Sequence, residues 1–82
     1  MKEAVITADL HGKTAYQAKV TVDALLRRAG TGTYRIRLIH GSHSGTALRE
    51  LIRTEYAHHP KVKRLILSAD GGATVLVLRE YV

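Results

Sequence analysis

The chain of 82 residues contains no cysteine, tryptophan or phenylalanine, one proline and one methionine. Without cysteine, disulfides and thiolate metal sites are excluded. Four tyrosines are its only aromatic side chains apart from five histidines. Stacking of nucleic-acid bases on an aromatic platform is therefore not the expected main mode of binding. No apolar run approaches the roughly 18 residues that a membrane span needs. The opening MKEAVITADL lacks the long apolar segment of a signal peptide and carries Glu3 and Asp9. A cytoplasmic protein without a membrane partner is the expectation. Acidic residues are also scarce: seven against thirteen Lys and Arg, a net charge of +6. Such an excess attracts phosphate backbones by charge neutralisation and counterion release, so nucleic acid is the first expected partner.

Hydrophobic residues make up 45% of the chain and charged residues 24%, ordinary values for one globular domain spanning residues 1–82. AVITADL, residues 4–10, reads as a strand ending at His11-Gly12. Thr14 and Gln17 have the spacing of a capping box. Ala15, Ala18, Val22, Leu25, Leu26 and Ala29 then recur at helical spacing, and Gly30 is the expected stop. YRIRLIH, residues 34–40, suits a second strand. Leu48, Leu51, Ile52 and Tyr56 mark a second amphipathic helix before His58-His59-Pro60. VKRLILS, residues 62–68, and ATVLVLREY, residues 73–81, are two further strands joined by a hairpin at Asp70-Gly71-Gly72.

The order β-α-β-α-β-β predicts an α/β fold. Right-handed crossovers make the first three strands parallel, and the hairpin makes the last antiparallel. Two helices cover one face of a four-stranded mixed sheet, giving a two-layer sandwich with an open face. Alternation puts Arg35 and Arg37 together. If theirs is the open face, they meet phosphates along with Lys63 or Arg79. TVLVL at an exposed edge would be a sticky strand, and a homodimer through it is one expectation beside a monomer.

Two strands end in the same way, ADLHG and RLIHG. Ligands of open α/β sheets gather at the carboxyl ends of strands. If the two strands are neighbours, His11 and His40 reach one ligand, with Asp9 orienting an imidazole. The plainer alternative makes each histidine a turn residue and Asp9 a cap of the Lys13-Thr14 turn. The loop Gly41-Ser42-His43-Ser44-Gly45 precedes a helix that carries Arg49 in its first turn. Loop amides, hydroxyls and the helix dipole suit an anion. The plainer alternative is an N-capping loop with Ser44 or Thr46 as cap. Three residues separate Gly41 from Gly45, and no lysine follows, so this is not a P-loop. No metal site is expected. His40-x-x-His43 and His58-His59 lack the further ligands of structural zinc. A magnesium ion held through phosphate oxygens stays open as a cofactor. No G-x-S-x-G elbow supports a serine hydrolase.

Taken together, Asp9-Leu10-His11-Gly12, the later His40-Gly41 and the helix start Leu48-Arg49 resemble the Smr domain, over about residues 5 to 80. The resemblance implies a fold similar to the C-terminal domain of translation initiation factor three. It implies nicking or cleavage of DNA or RNA, with ribosome association in some members. His11 falls in the first family motif, and His40 with Gly41 begins the second. That second motif is commonly Thr/His-Gly-x-Gly. Here His43 stands at its second glycine, the loop is one residue longer, and Gly45 is the next glycine. Ala8 replaces the leucine often found before the first motif. The implied activity is an endonuclease in which His11 and His40 share acid and base roles. A non-catalytic nucleic-acid or ribosome-binding module is the alternative.

Overall fold

The computed structural model describes residues 4–41 and 46–80. Strands β1 (Val5–Asp9), β2 (Arg35–Ile39), β3 (Arg64–Leu67) and β4 (Ala73–Val77) alternate with helices α1 (Ala15–Arg28) and α2 (Ala47–Tyr56) in the order β1-α1-β2-α2-β3-β4. They form one mixed sheet of order β1-β2-β4-β3. β1 and β2 are parallel, and β4 runs antiparallel to both of its neighbours. β4 is thus an inner strand. The predicted pairing of two copies through TVLVL is ruled out, because both backbone edges of β4 are already bonded to β2 and β3. The sheet edges are β1 and the four-residue β3.

The helices pack on one face, and period-two alternation decides which residues meet them. Ile36, Leu38 and Leu76 are fully buried there with Ala18, Val22, Leu26, Ile52 and Tyr56. Ile6, Ala8 and Leu65 pack against the same cluster. The other face presents Thr7, Arg35, Arg37, Arg64 and Ile66, all exposed. This is the open face expected from the count of helices.

The expected capping box is present. Thr14 Oγ1 accepts from the Gln17 amide at 3.1 Å, and Gln17 Oε1 accepts from the Thr14 amide at 3.0 Å. The other end of α1 differs from expectation. Gly30 does not adopt the left-handed conformation of a glycine cap, since positive φ is confined to Gly12, Gly41 and Gly71 among the described residues. Instead Ala29 turns extended at φ −64°, ψ 123°, while its amide still donates to Leu25 O. Lys61 Nζ donates to Leu26 O at 2.8 Å and satisfies a terminal carbonyl from across the fold.

Tyr56 ties the two helices together. Its hydroxyl donates to Asp23 Oδ1 at 2.7 Å, and Lys19 bridges Asp23 and Glu55 at 3.1 and 3.5 Å. Burial pushes the Tyr56 hydroxyl pKa up, and the adjacent Asp23 carboxylate reinforces the shift. Burial pushes Asp23 the other way from its net shift: the Tyr56 bond and Lys19 outweigh it and lower the carboxyl pKa. Asp23 therefore favours the fold above the ordinary carboxylate pKa, and that contribution is lost as pH falls through its lowered value. Replacing Tyr56 by Phe should cost about 1.5–3 kcal/mol, the worth of a bond to a charged acceptor. Urea unfolding near neutral pH checks this, and an unchanged midpoint would contradict the role of the hydroxyl.

Candidate nucleic-acid interface at the strand ends

The site begins with the register of β1 and β2. Asp9 stands beside Ile39, and the Leu10 amide continues the pairing to Ile39 O at 2.7 Å. One residue further, His11 lies beside Gly41: a Cβ at Gly41 would stand 3.9 Å from His11 Cβ. Gly41 has φ +85°, where a side chain is strained.

Alternation sends Asp9 to the open face and Leu10 into the core, where it is fully buried. His11 follows Asp9 outward. Asp9 Oδ1 accepts from the His11 amide at 3.0 Å and lies 3.0 Å from His11 Nδ1. An ionised carboxylate only accepts, so Nδ1 is the donor. In the neutral ring Nε2 then carries the lone pair. The ring is 72% exposed and the Asp9 side chain 56%. The His11 amide, followed by the His11 ring, holds the Asp9 carboxyl below its ordinary pKa. Asp9 therefore caps the His11 amide and contacts the His11 ring, and not the Lys13-Thr14 turn of the plainer alternative, whose amides donate to Leu10 O and Gln17 Oε1.

His40 is placed differently. It follows Leu38 on the helix-facing side and is 4% exposed. Its Nδ1 lies 3.1 Å from Gly41 O, and its Nε2 lies 2.9 Å from Thr74 Oγ1. A carbonyl only accepts, so the neutral ring donates from Nδ1 and accepts the Thr74 hydroxyl proton at Nε2. The expectation that both imidazoles reach one ligand is therefore corrected. The strands are neighbours, but the two rings point to opposite faces, and both nitrogens of His40 are engaged within the protein.

The β3–β4 turn completes the strand-end surface. Gly72 O accepts from the amides of His40 and Gly41 at 3.0 and 2.9 Å. The Gly41 amide is therefore not available to a phosphate, against the expectation for this residue. Gly41 supplies room and a turn. Asp70 accepts from Ser68 Oγ at 2.7 Å and from the Gly72 amide at 2.8 Å. The Gly72 amide and Ser68 lower its carboxyl pKa, and the charge of Arg37 adds to them. Arg49 Nη1 lies 3.6 Å from the position a Cβ would take on Gly71. Arg37 and Arg49 thus approach one turn from β2 and α2.

Thr46 holds the N-cap position of α2, but its hydroxyl makes no capping bond. Ser42, His43, Ser44 and Gly45 lie outside the described residues. At the other end of the open face, Arg35 and Arg79 line a cleft of about 260 Å³ with Tyr34, Arg64 and Glu80. Lys63 lines an adjoining concavity that Arg79 also borders. Arg64 is the residue that sequence reasoning missed. Its signal is alternation within VKRLIL, which puts it opposite the buried-side Leu65. His59 is a turn residue whose Nδ1 accepts from the Lys61 amide.

The family model of the Smr domain matches residues 8–79. The chain belongs to the Smr domain family. Among solved structures, the Smr domain of Thermus thermophilus MutS2 is similar, with a TM-score of 0.80 and 32% identity over 92% of this chain and 99% of that one. No curated protein matches. The family is one of nucleic-acid-binding, nuclease-type modules. Among the described residues of this Smr domain, no helix is long and apolar enough to cross a membrane.

The bond between Asp9 and His11 makes the Asp9 titration a probe of the ring. In a His11→Ala variant the Asp9 carboxyl midpoint should rise part of the way to the ordinary value, because the backbone amide at position 11, the larger influence, remains. Carbon-detected NMR of the Asp9 carboxyl reads this. An unmoved midpoint would show that the ring does not engage the carboxylate.

Proposed function

We propose that this Smr domain binds a nucleic-acid backbone across the strand ends and cleaves it, with His11 as the acid/base and Asp9 as its orienting partner. One observation carries the reading: an exposed imidazole, held at Nδ1 by a carboxylate, with Nε2 directed away from that bond. A carboxylate at Nδ1 fixes the tautomer and supports the charge the ring acquires on taking a proton.

On RNA, Nε2 takes the 2′-hydroxyl proton as the 2′-oxygen bonds to phosphorus. The bond from phosphorus to the 5′-oxygen breaks, and the protonated ring or water returns a proton to that oxygen. Arg49 and Arg37 offset charge on the phosphoryl oxygens. On DNA the attacking oxygen is water's. Nε2 takes its proton as that oxygen bonds to phosphorus, the bond from phosphorus to the leaving sugar oxygen breaks, and the protonated ring or water returns a proton to that oxygen. A magnesium ion held through the phosphate oxygens would supply charge stabilisation there. His40 serves as a positioning residue. It pins the end of β2 to Thr74 and so sets Gly41 beside His11. Ser42, His43, Ser44 and Gly45 remain candidates for the phosphate loop.

The withdrawal of His40 from the surface favours the second reading, a nucleic-acid or ribosome-binding module without cleavage. Cleavage of labelled DNA and RNA, with magnesium and with chelator, separates the two. The His11→Ala variant should cut about 10²–10⁴-fold more slowly, the range for loss of a positioned acid/base, while binding persists. Asp9→Asn should slow cleavage less. Equal cleavage by wild type and His11→Ala overturns the catalytic reading, and salt-sensitive binding by an inactive wild type establishes the binding module.

A further inference from the structure

The open face is most densely cationic at the end remote from His11. Arg35 begins β2 and Arg64 begins β3, and both stand opposite Val77 of β4 in the register. Val77 belongs to the open face, yet it is fully buried. An arginine on each side accounts for this, since the aliphatic stem of arginine covers apolar surface while its guanidinium stays in water. Arg79 completes the cleft of about 260 Å³. Lys61 takes no part, because its ammonium is bonded to the end of α1.

Cations this close repel one another unless countered. Glu80 is the counterion in the cleft. Arg64 Nε donates to Glu80 Oε1, and both side chains are about half exposed. The Arg64 bond and charge are the main causes of a lowered Glu80 pKa, and Lys63 and Arg35 add to them. One carboxylate therefore answers to several cations, and the cleft keeps an excess of positive charge. The pair is open to water, where a phosphate can compete for Arg64.

We propose that Arg35, Arg64 and Arg79 form a second phosphate anchor for the strand bound at His11, with Glu80 as an internal competitor for Arg64. The inference rests on the reading that the open face carries nucleic acid, and it adds a length requirement. Six residue steps run from Arg35 to Gly41, the neighbour of His11. At about 3.3 Å per residue they span roughly 20 Å. That is about six base-pair steps of a duplex, taken at 3.4 Å each. Arg37 lies between the two ends. A substrate must cover the whole span to use both anchors. Joining two weak contacts through one ligand raises affinity well beyond either alone.

The test is fluorescence anisotropy in chelator, so that binding is read without cleavage. Oligonucleotides of about four and about twelve nucleotides, the latter single-stranded and duplex, bracket the predicted span. Wild type should prefer the longer forms by about tenfold or more. Glu80→Gln should tighten binding of the longer forms and steepen the dependence of log affinity on log salt by about one. Arg64→Gln and Arg79→Gln should each flatten that slope by about one. The Arg64→Gln/Arg79→Gln double variant should lose most of the preference for length. Salt-dependent wild-type binding with slopes unchanged in all these variants overturns the second anchor and leaves the nucleic-acid reading standing. No wild-type binding to any oligonucleotide overturns both.

Discussion

The parallel pairing of β1 with β2 is the constraint on which the rest of this structure depends. Asp9 beside Ile39, closed by the Leu10 amide on Ile39 O, fixes how the two strand ends meet. His11 comes to lie beside Gly41, and Leu10 occupies the level of His40. Side chains of successive residues in a strand point to opposite faces. A shift of one residue in this register would move Asp9 or His40 to the other side of the sheet. The chemical difference between the two histidines is therefore a consequence of backbone pairing.

The two rings have opposite environments. His11 stands in water, held by one carboxylate, and can exchange a proton with a ligand. His40 lies among buried groups, and burying a polar ring is tolerable only if its nitrogens find partners. Thr74 and Gly41 O supply them, while Gly72 O takes up both amides at the end of β2. Thr74 also gains, because its hydroxyl is buried on the helix-facing side. The reciprocal bonds clamp β2 to β4 and to the β3–β4 turn. That clamp fixes the strand end beside which His11 stands and the turn that Arg37 and Arg49 approach.

Much of this was legible in the sequence. Helical spacing from Ala18 to Leu26 and alternation through Arg35–Leu38 locate the elements and the open face. The Thr14–Gln17 box marks a helix start because two orphan amide groups are satisfied by side chains of the right reach. The inner position of β4 was not legible. A hairpin requires β3 and β4 to be neighbours, but it does not say which of them also pairs with β2. The direction of His40 depends on where β2 ends its alternation and on Thr74, 34 residues away. Arg64 joins Arg35 only through the register of both with Val77. The end of α1 is made by Ala29 and by Lys61 from a distant loop, so Gly30 was a misleading sign. Local chemistry reads well from sequence, and pairings across the sheet do not.

The open face now has a direction, from the exposed His11 imidazole at the carboxyl ends of the parallel strands to a cluster of arginines at their starts. The claim at its centre is that His11 alone of the two motif histidines meets the ligand. Ring ¹⁵N spectra recorded while an oligonucleotide is added test this directly. The expected result is that His11 signals shift, with the neutral ring protonated at Nδ1, while His40 signals stay in place. Shifts at His40 as large as those at His11, or a neutral His11 protonated at Nε2, would contradict it.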